Sequence, residues 1–292
     1  MVFNDAERYL NFYTDYGFKR LFGSELSKHI LKDFLNALMA SENKGVIESV
    51  TYLKNEQVGD FELDRKCIYD IYCLSDRGEH FIIELQKVKQ KYFKDRTLFY
   101  SVAAIREQQQ QGNWNFRLAP VYVVAILDFI LDDRPTDPLS YRHDVALREA
   151  GAMEPFYDKL FFIYLEMPKF TKKSSELQSH FEKWMYALRN LNRLNDVPTE
   201  LREQVFEEFF RVAEIDRFSP EERAHYEESR KAYLDLTNSI RSAEERGWDK
   251  GREEGRKENR LESAKRMLEL QLSVDVISRV SGLPHEEIEK LR

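Results

Sequence analysis

No stretch of this 292-residue chain approaches the ~18–20 consecutive apolar residues of a membrane span. Its opening, MVFNDAERYL, has no basic region followed by an apolar run, so no secretory leader is expected and the location expected is cytoplasmic. Cysteine is scarce, with only Cys67 and Cys73. On one strand these would lie roughly 20 Å apart at ~3.3 Å per residue, too far for a disulfide, and they read as small buried apolar groups. The six histidines are scattered with no H-x-x-x-H pair, and no C-x-x-C occurs, so a structural zinc site has little support. An excess of positive charge is also missing. A net charge of −7 argues against a general nucleic-acid coat protein, whose affinity rests on Lys and Arg, while leaving room for an enzyme with a local basic groove.

The chain does have the material for a core: 42% hydrophobic residues, including 20 Phe and 15 Tyr, enough for one large domain or a domain plus an appendage. Ser24 reads as the N-cap of a helix whose apolar positions are Ile30, Leu31, Phe34, Leu35 and Leu38. Three strands are predicted next, at 46–53, 67–74 and 80–86, with a turn at Ser75-Asp-Arg-Gly making the last two an antiparallel pair. A helix from about Lys94 to Gln111, a long buried strand at 120–129 and another at 160–167 follow. The order is α-β-β-β-α-β, an α/β fold with a mixed sheet flanked by helices.

From Ser174 the pattern turns helical, through Leu177, Phe181, Trp184, Met185 and Leu188, and residues 200–238 read as charged amphipathic helix. Gly247, Gly251 and Gly255 recur at every fourth position, each costing a helix about 1 kcal/mol against Ala. That stripe suits either close helix–helix approach or a flexible linker. Basic and acidic residues balance over 241–292, twelve of each, so this is no basic arm. The end reads helix, turn at Gly282, helix: a hairpin for packing or self-association, or a DNA-reading helix-turn-helix.

Strand alternation puts Ile68, Asp70 and Tyr72 on one face, and Ile82, Glu84 and Gln86 on one face of the next strand. Polar side chains inside apolar strands are expensive without partners. Paired strands would bring Asp70 and Glu84 together, and two adjacent carboxylates favour a divalent cation such as Mg²⁺ or Mn²⁺. Gln86 can position and hydrogen-bond but carries no charge. The run after it holds Lys87, Lys89, Lys91, Lys94 and Arg96, which either steadies a DNA backbone or is a solvated loop and helix start. Gln108 to Gln111 read as helix-surface residues, with a substrate contact as the alternative.

These strands resemble the PD-(D/E)XK nucleases in the variant where Gln replaces the final Lys. Asp15-Tyr-Gly-Phe-Lys-Arg-Leu-Phe-Gly, Ile83-Glu-Leu-Gln, Arg96-Thr-Leu-Phe-Tyr-Ser, Pro120-Val-Tyr-Val-Val-Ala-Ile-Leu-Asp-Phe and Leu165-Glu-Met-Pro-Lys-Phe, in that order, are similar to the Rpn family. These are bacterial recombination-promoting nucleases, also described as PD-(D/E)XK nuclease family transposases. The resemblance covers about residues 8–240. It implies a restriction-endonuclease-like core, Mg²⁺-dependent DNA endonuclease activity of low sequence specificity through a metal-bound water, and links to recombination or mobile elements. It places the catalytic Asp on Asp70 and the Glu-x-Gln on Glu84 and Gln86, with Asp70 and Glu84 as metal ligands. Asp15 matches an acidic position of the family, as a further site acid or as a capping residue. The domains expected are a nuclease core at 1–170, a helical extension at 171–240 packing on it, and a charged Gly-spaced helix with a hairpin at 241–292 through which copies of the chain can associate. A nuclease-fold module that binds DNA or protein without cutting is the alternative.

Overall fold

The computed structural model describes residues 7–40, 45–53, 56–57, 67–109, 114–131 and 139–291, with backbone alone at 56–57 and 67–68. Packing divides the chain into two units, residues 1–230 and 231–292.

In the first unit, α1 (Asp15–Phe22) and α2 (Lys28–Met39) precede the sheet. The strands are β1 (Val50–Tyr52), β2 (Glu56–Gln57), β3 (Cys67–Ile68), β4 (Ile71–Ser75), β5 (His80–Gln86), β6 (Val121–Leu127), β7 (Arg142–Arg148) and β8 (Pro155–Glu166), with α3 (Phe93–Glu107) between β5 and β6. Among the described residues, six strands form one mixed sheet in the order β1-β4-β5-β6-β8-β7. β4 and β5 run antiparallel, and β5, β6 and β8 run parallel. Every residue of β5 and β6 is buried; β6 is an unbroken apolar run, as a strand covered on both faces requires, while β5 also buries His80, Glu84 and Gln86. Phe93 and Ala104 of α3 pack against the face that carries Ile82, Val123, Ala125 and Tyr164. On the reverse face the rings of Phe81, Tyr122 and Phe161 stack across three strands, with centroids 4.9 and 5.0 Å apart.

The apolar positions of α2 are all fully buried, as their spacing predicts. Phe22 and Phe34 meet Trp184 of α4 (His180–Asn190), which meets Phe206 and Phe209 of α5 (Gln204–Ala213), with centroids 4.7 to 6.3 Å apart. The Trp184 indole N–H donates to Asp33 at 2.7 Å, so the buried polar atom is satisfied.

The predicted strand 67–74 is interrupted. Cys67–Ile68 pairs with Glu56–Gln57 in a separate two-stranded ribbon, and Asp70 sits in a bend before β4. Cys73 is free and buried; the Cys67 side chain lies outside the described residues. β7 is an additional strand. Its charged sequence Arg-His-Asp-Val-Ala-Leu-Arg hides the alternation, because it is a half-exposed edge with register shifts at Ala146–Arg148. The helical reading of 174–194 starts late: α4 begins at His180, where Ser179 Oγ accepts the Glu182 N–H at 3.1 Å. The predicted helix 200–238 is two helices, because Glu214 bridges to Tyr9 and Pro220 starts α6 (Pro220–Glu269). α6 runs through the glycine stripe, so the linker reading does not hold. Within one chain a Cβ at Gly247, Gly251 or Gly255 would meet nothing within 4 Å, so any close approach along the stripe would be to another molecule.

In the second unit, α7 (Val274–Ser281) and α8 (His285–Glu289) turn at Gly282, whose φ of 70° suits a residue without a Cβ. Ala264, Ile277, Leu283 and Ile288 make a small core there.

Candidate active site

β5 carries two of the three candidate site residues. Glu84 and Gln86 are 5% and 8% exposed and share the face of Ile82, as alternation predicts. The ladder pairs Ile71 with Ile83, so Asp70 comes next to Glu84 just beyond the end of β4. The bend at Asp70 makes that pairing reciprocal. Asp70 N–H donates to Glu84 Oε1 at 3.1 Å, and Leu85 N–H donates to Asp70 Oδ2 at 2.8 Å.

Burial first, and then the charge of Asp70, push the Glu84 carboxyl up to about 8. Burial likewise raises Asp70, helped by the charge of Asp15 and opposed by the Leu85 N–H, Lys19 and Lys87. Asp15 opens α1, which Thr14 caps by accepting the Gly17 N–H at 3.0 Å. Gly17 is required there, because a Cβ would stand 2.4 Å from the Asn11 carbonyl oxygen. Asp15 pairs with Lys19 at 3.0 Å on an exposed helix turn and acts on Asp70 through its field.

The basic run splits into two groups. Lys89, Lys91 and Lys94 are exposed, and Lys91 lies 5.3 Å from the centre of the Tyr92 ring. Lys87 and Arg96 are half-buried. Burial lowers the Lys87 ammonium, while Asp15, Asp70 and Asp128 hold it up. Gln86 is engaged at both ends: Nε2 donates to the Val88 carbonyl at 2.8 Å, and Oε1 accepts from Arg96 Nη2. Gln108 is a fastener, its amide bonding Ala119 N–H at 2.7 Å and Ala119 O at 3.4 Å; Gln110 and Gln111 lie outside the described residues.

Two residues near the cluster were not singled out by sequence reasoning. Lys19 follows Asp15 by four positions on one helix face, a readable signal. Asp128 directly follows the last residue of β6, and its N–H donates to the Gln86 carbonyl at 3.0 Å. An acid directly after a buried strand was the signal for it.

Among the described residues, no group of three or more His, Cys, Asp or Glu side chains could hold a metal ion. The described residues offer a pair, Asp70 and Glu84. That donor set fits a hard divalent cation, which takes one or two carboxylates and fills its shell with water and phosphate oxygens.

A mixed six-stranded sheet flanked by helices is the architecture of an α/β protein of the restriction-endonuclease-like class. Residues 12–243 match the family model of the PD-(D/E)XK nuclease family transposases, and the chain belongs to that family. Neither a search of curated proteins nor a search of solved structures found a match. The family is one of nucleases linked to mobile elements, and such nucleases generally use divalent metals. No described helix is long and apolar enough to cross a membrane.

Proposed function

We propose that this chain is a Mg²⁺-dependent DNA endonuclease of low sequence specificity, with Mn²⁺ as a substitute, acting in the cytoplasm in recombination or on mobile elements. The observation that carries the reading is the reciprocal Asp70–Glu84 pair, with the Glu84 carboxyl raised because two acids share one buried place. Asp70 and Glu84 hold the cation. When bound, it activates water and neutralises charge growing on the phosphate. Asp15 adds negative field from α1. Lys87, Lys89, Lys91, Lys94 and Arg96 hold the DNA backbone, which positions the duplex without reading its sequence. Self-association is assigned to the C-terminal helices.

Supercoiled-plasmid cleavage with Mg²⁺, Mn²⁺, Ca²⁺ or EDTA tests this, comparing the native chain with Asp70→Ala and Glu84→Ala. Metal-requiring nicking that vanishes in both folded variants is the expected result. Cutting that persists in either variant overturns the site. An absence of cutting with every metal makes the chain a binding module.

A further inference from the structure

Position 86 poses a chemical problem. In the pattern this chain resembles, a lysine there brings positive charge to the phosphate, and Gln86 brings none. Its amide is also engaged by protein at both ends, by the Val88 carbonyl and by Arg96. What Gln86 holds is itself a cation. Arg96 Nη1 donates to Gln90 Oε1 at 2.8 Å, so two glutamines fork one guanidinium. The guanidinium carbon lies 5.0 Å from the Phe93 ring centre and 5.7 Å from that of Tyr100, which limits its swing.

The chemistry of this fork is informative. Both acceptors are neutral amides, so they orient the guanidinium without cancelling its charge. A carboxylate at 86 would neutralise it, and a lysine would repel it. Among the described residues Arg96 has no ion pair, and its Nε is buried with no hydrogen-bond partner. A guanidinium has five N–H donors in a fixed plane, and the fork uses two. Arg96 is close enough to the acid pair for its charge to favour ionisation of Glu84. Gln86 and Glu84 share one face of β5, two residues apart, roughly 7 Å along the strand. A half-buried, oriented guanidinium with no ion pair among the described residues, beside two carboxylates, is matched to a phosphate oxygen bound between them.

We propose that Arg96 supplies the positive charge at the scissile phosphate that Gln86 cannot, and that Gln86 is the positioning residue that aims it. This rests on the nuclease reading above and assigns a role within that site. Arg96 meets the non-bridging oxygens of the phosphodiester and steadies their charge as the bond to the leaving oxygen breaks. The three exposed lysines serve the flanking phosphates.

The test uses the full chain and two readouts. The first is equilibrium binding to a short fluorescent duplex in Ca²⁺ across a range of KCl. Arg96→Ala is expected to lower the slope of log affinity against log salt by about one, the loss of one phosphate contact. The second is plasmid nicking resolved into kcat and KM. Arg96→Ala is expected to lose on the order of 100-fold or more in kcat, with a much smaller change in KM. Gln86→Ala should lose a similar factor, and the double variant little more, because the two act as a unit. Gln86→Glu decides between aiming and mere fastening. It keeps an acceptor for Arg96 and cancels the charge, at the cost of the donor to the Val88 carbonyl, so it should still fold yet cut poorly. A fastening role would leave its cutting intact, and that result overturns the proposal. So does an Arg96→Ala variant with native kcat and native salt slope. Should Arg96→Ala fail to fold, Arg96→Lys retains stem and charge, and is expected to keep the salt slope but not the full rate. If the native chain cuts nothing, the nuclease reading falls, and the salt slope alone still decides whether Arg96 meets phosphate.

Discussion

Asp70 and Glu84 hold each other through the main chain: the Asp70 N–H donates to Glu84 Oε1 at 3.1 Å, while Asp70 Oδ2 takes the N–H of Leu85 at 2.8 Å. Each acid is thus placed by the strand end that carries the other. Isosteric amides separate placement from charge. Asp70→Asn and Glu84→Gln should fold, with Glu84→Gln still accepting the Asp70 N–H. Both should lose several kcal/mol of transition-state stabilisation, on the order of 1,000-fold in cutting. Circular dichroism and plasmid nicking on the same preparations check this, and near-native rates in either variant would remove that acid from the site.

Glu84 also links stability to pH. Its ordinary value is 4.5, and burial with the Asp70 charge pushes it up to about 8 in the folded chain. Between those values the folded protein keeps a proton that the unfolded chain has lost. Stability from this group is therefore fully present below about 4.5 and is lost as pH rises through about 8. In EDTA, the melting temperature of the native chain relative to Glu84→Gln should fall from about pH 5 to about pH 8.5. Saturating Mg²⁺ should flatten the trend, since the cation takes the proton's place. A difference that stays level in EDTA contradicts the raised value.

A second buried charge makes a stability prediction. Glu166 is 1% exposed and pairs with Lys169, with His143 at 3.2 Å and the Leu131 N–H at 2.6 Å. These neighbours, led by Lys169, outweigh burial and keep the Glu166 carboxyl below its ordinary value. Lys169→Met should destabilise by about 3–5 kcal/mol, because it leaves a buried charge short of its partner. Adding Glu166→Gln should recover much of that loss. Chemical denaturation of the two variants measures the difference, and an unperturbed Lys169→Met would show that the pair is dispensable.

The glycine stripe gives an opposite expectation. Gly247, Gly251 and Gly255 sit in a continuous helix, and an added Cβ at each meets nothing within 4 Å. Replacing all three with Ala should raise helicity and local stability by about 1 kcal/mol per site. Thermal melts by circular dichroism test this. Sedimentation at several concentrations tests the association assigned to this region, and a triple variant that loses mass shows that copies of the chain meet along the stripe.

The amino-acid sequence alone determined much of this protein. The β5 segment His80–Gln86 follows the Ser75-Asp-Arg-Gly turn and ends at the lysine run, so its bounds were legible, and the two-residue period of a strand put Glu84 and Gln86 on one face. The spacing in α2 and the turn at Gly282 were also legible, because local periodicity and backbone preference set them. Tertiary structure decided the rest. The bend that frees Asp70 from its strand depends on hydrogen bonds to Glu84 and Leu85, fourteen and fifteen residues away. The edge strand β7 is charged and half-exposed, so only pairing with β8 reveals it. The field around Asp70 gathers Asp15, Lys19 and Lys87 from two ends of the first hundred residues. The link from Gln86 to Arg96 joins a strand end to the first turn of a helix. Periodicity shows which way a side chain faces along its own element, but what it meets there is decided by how the elements pack.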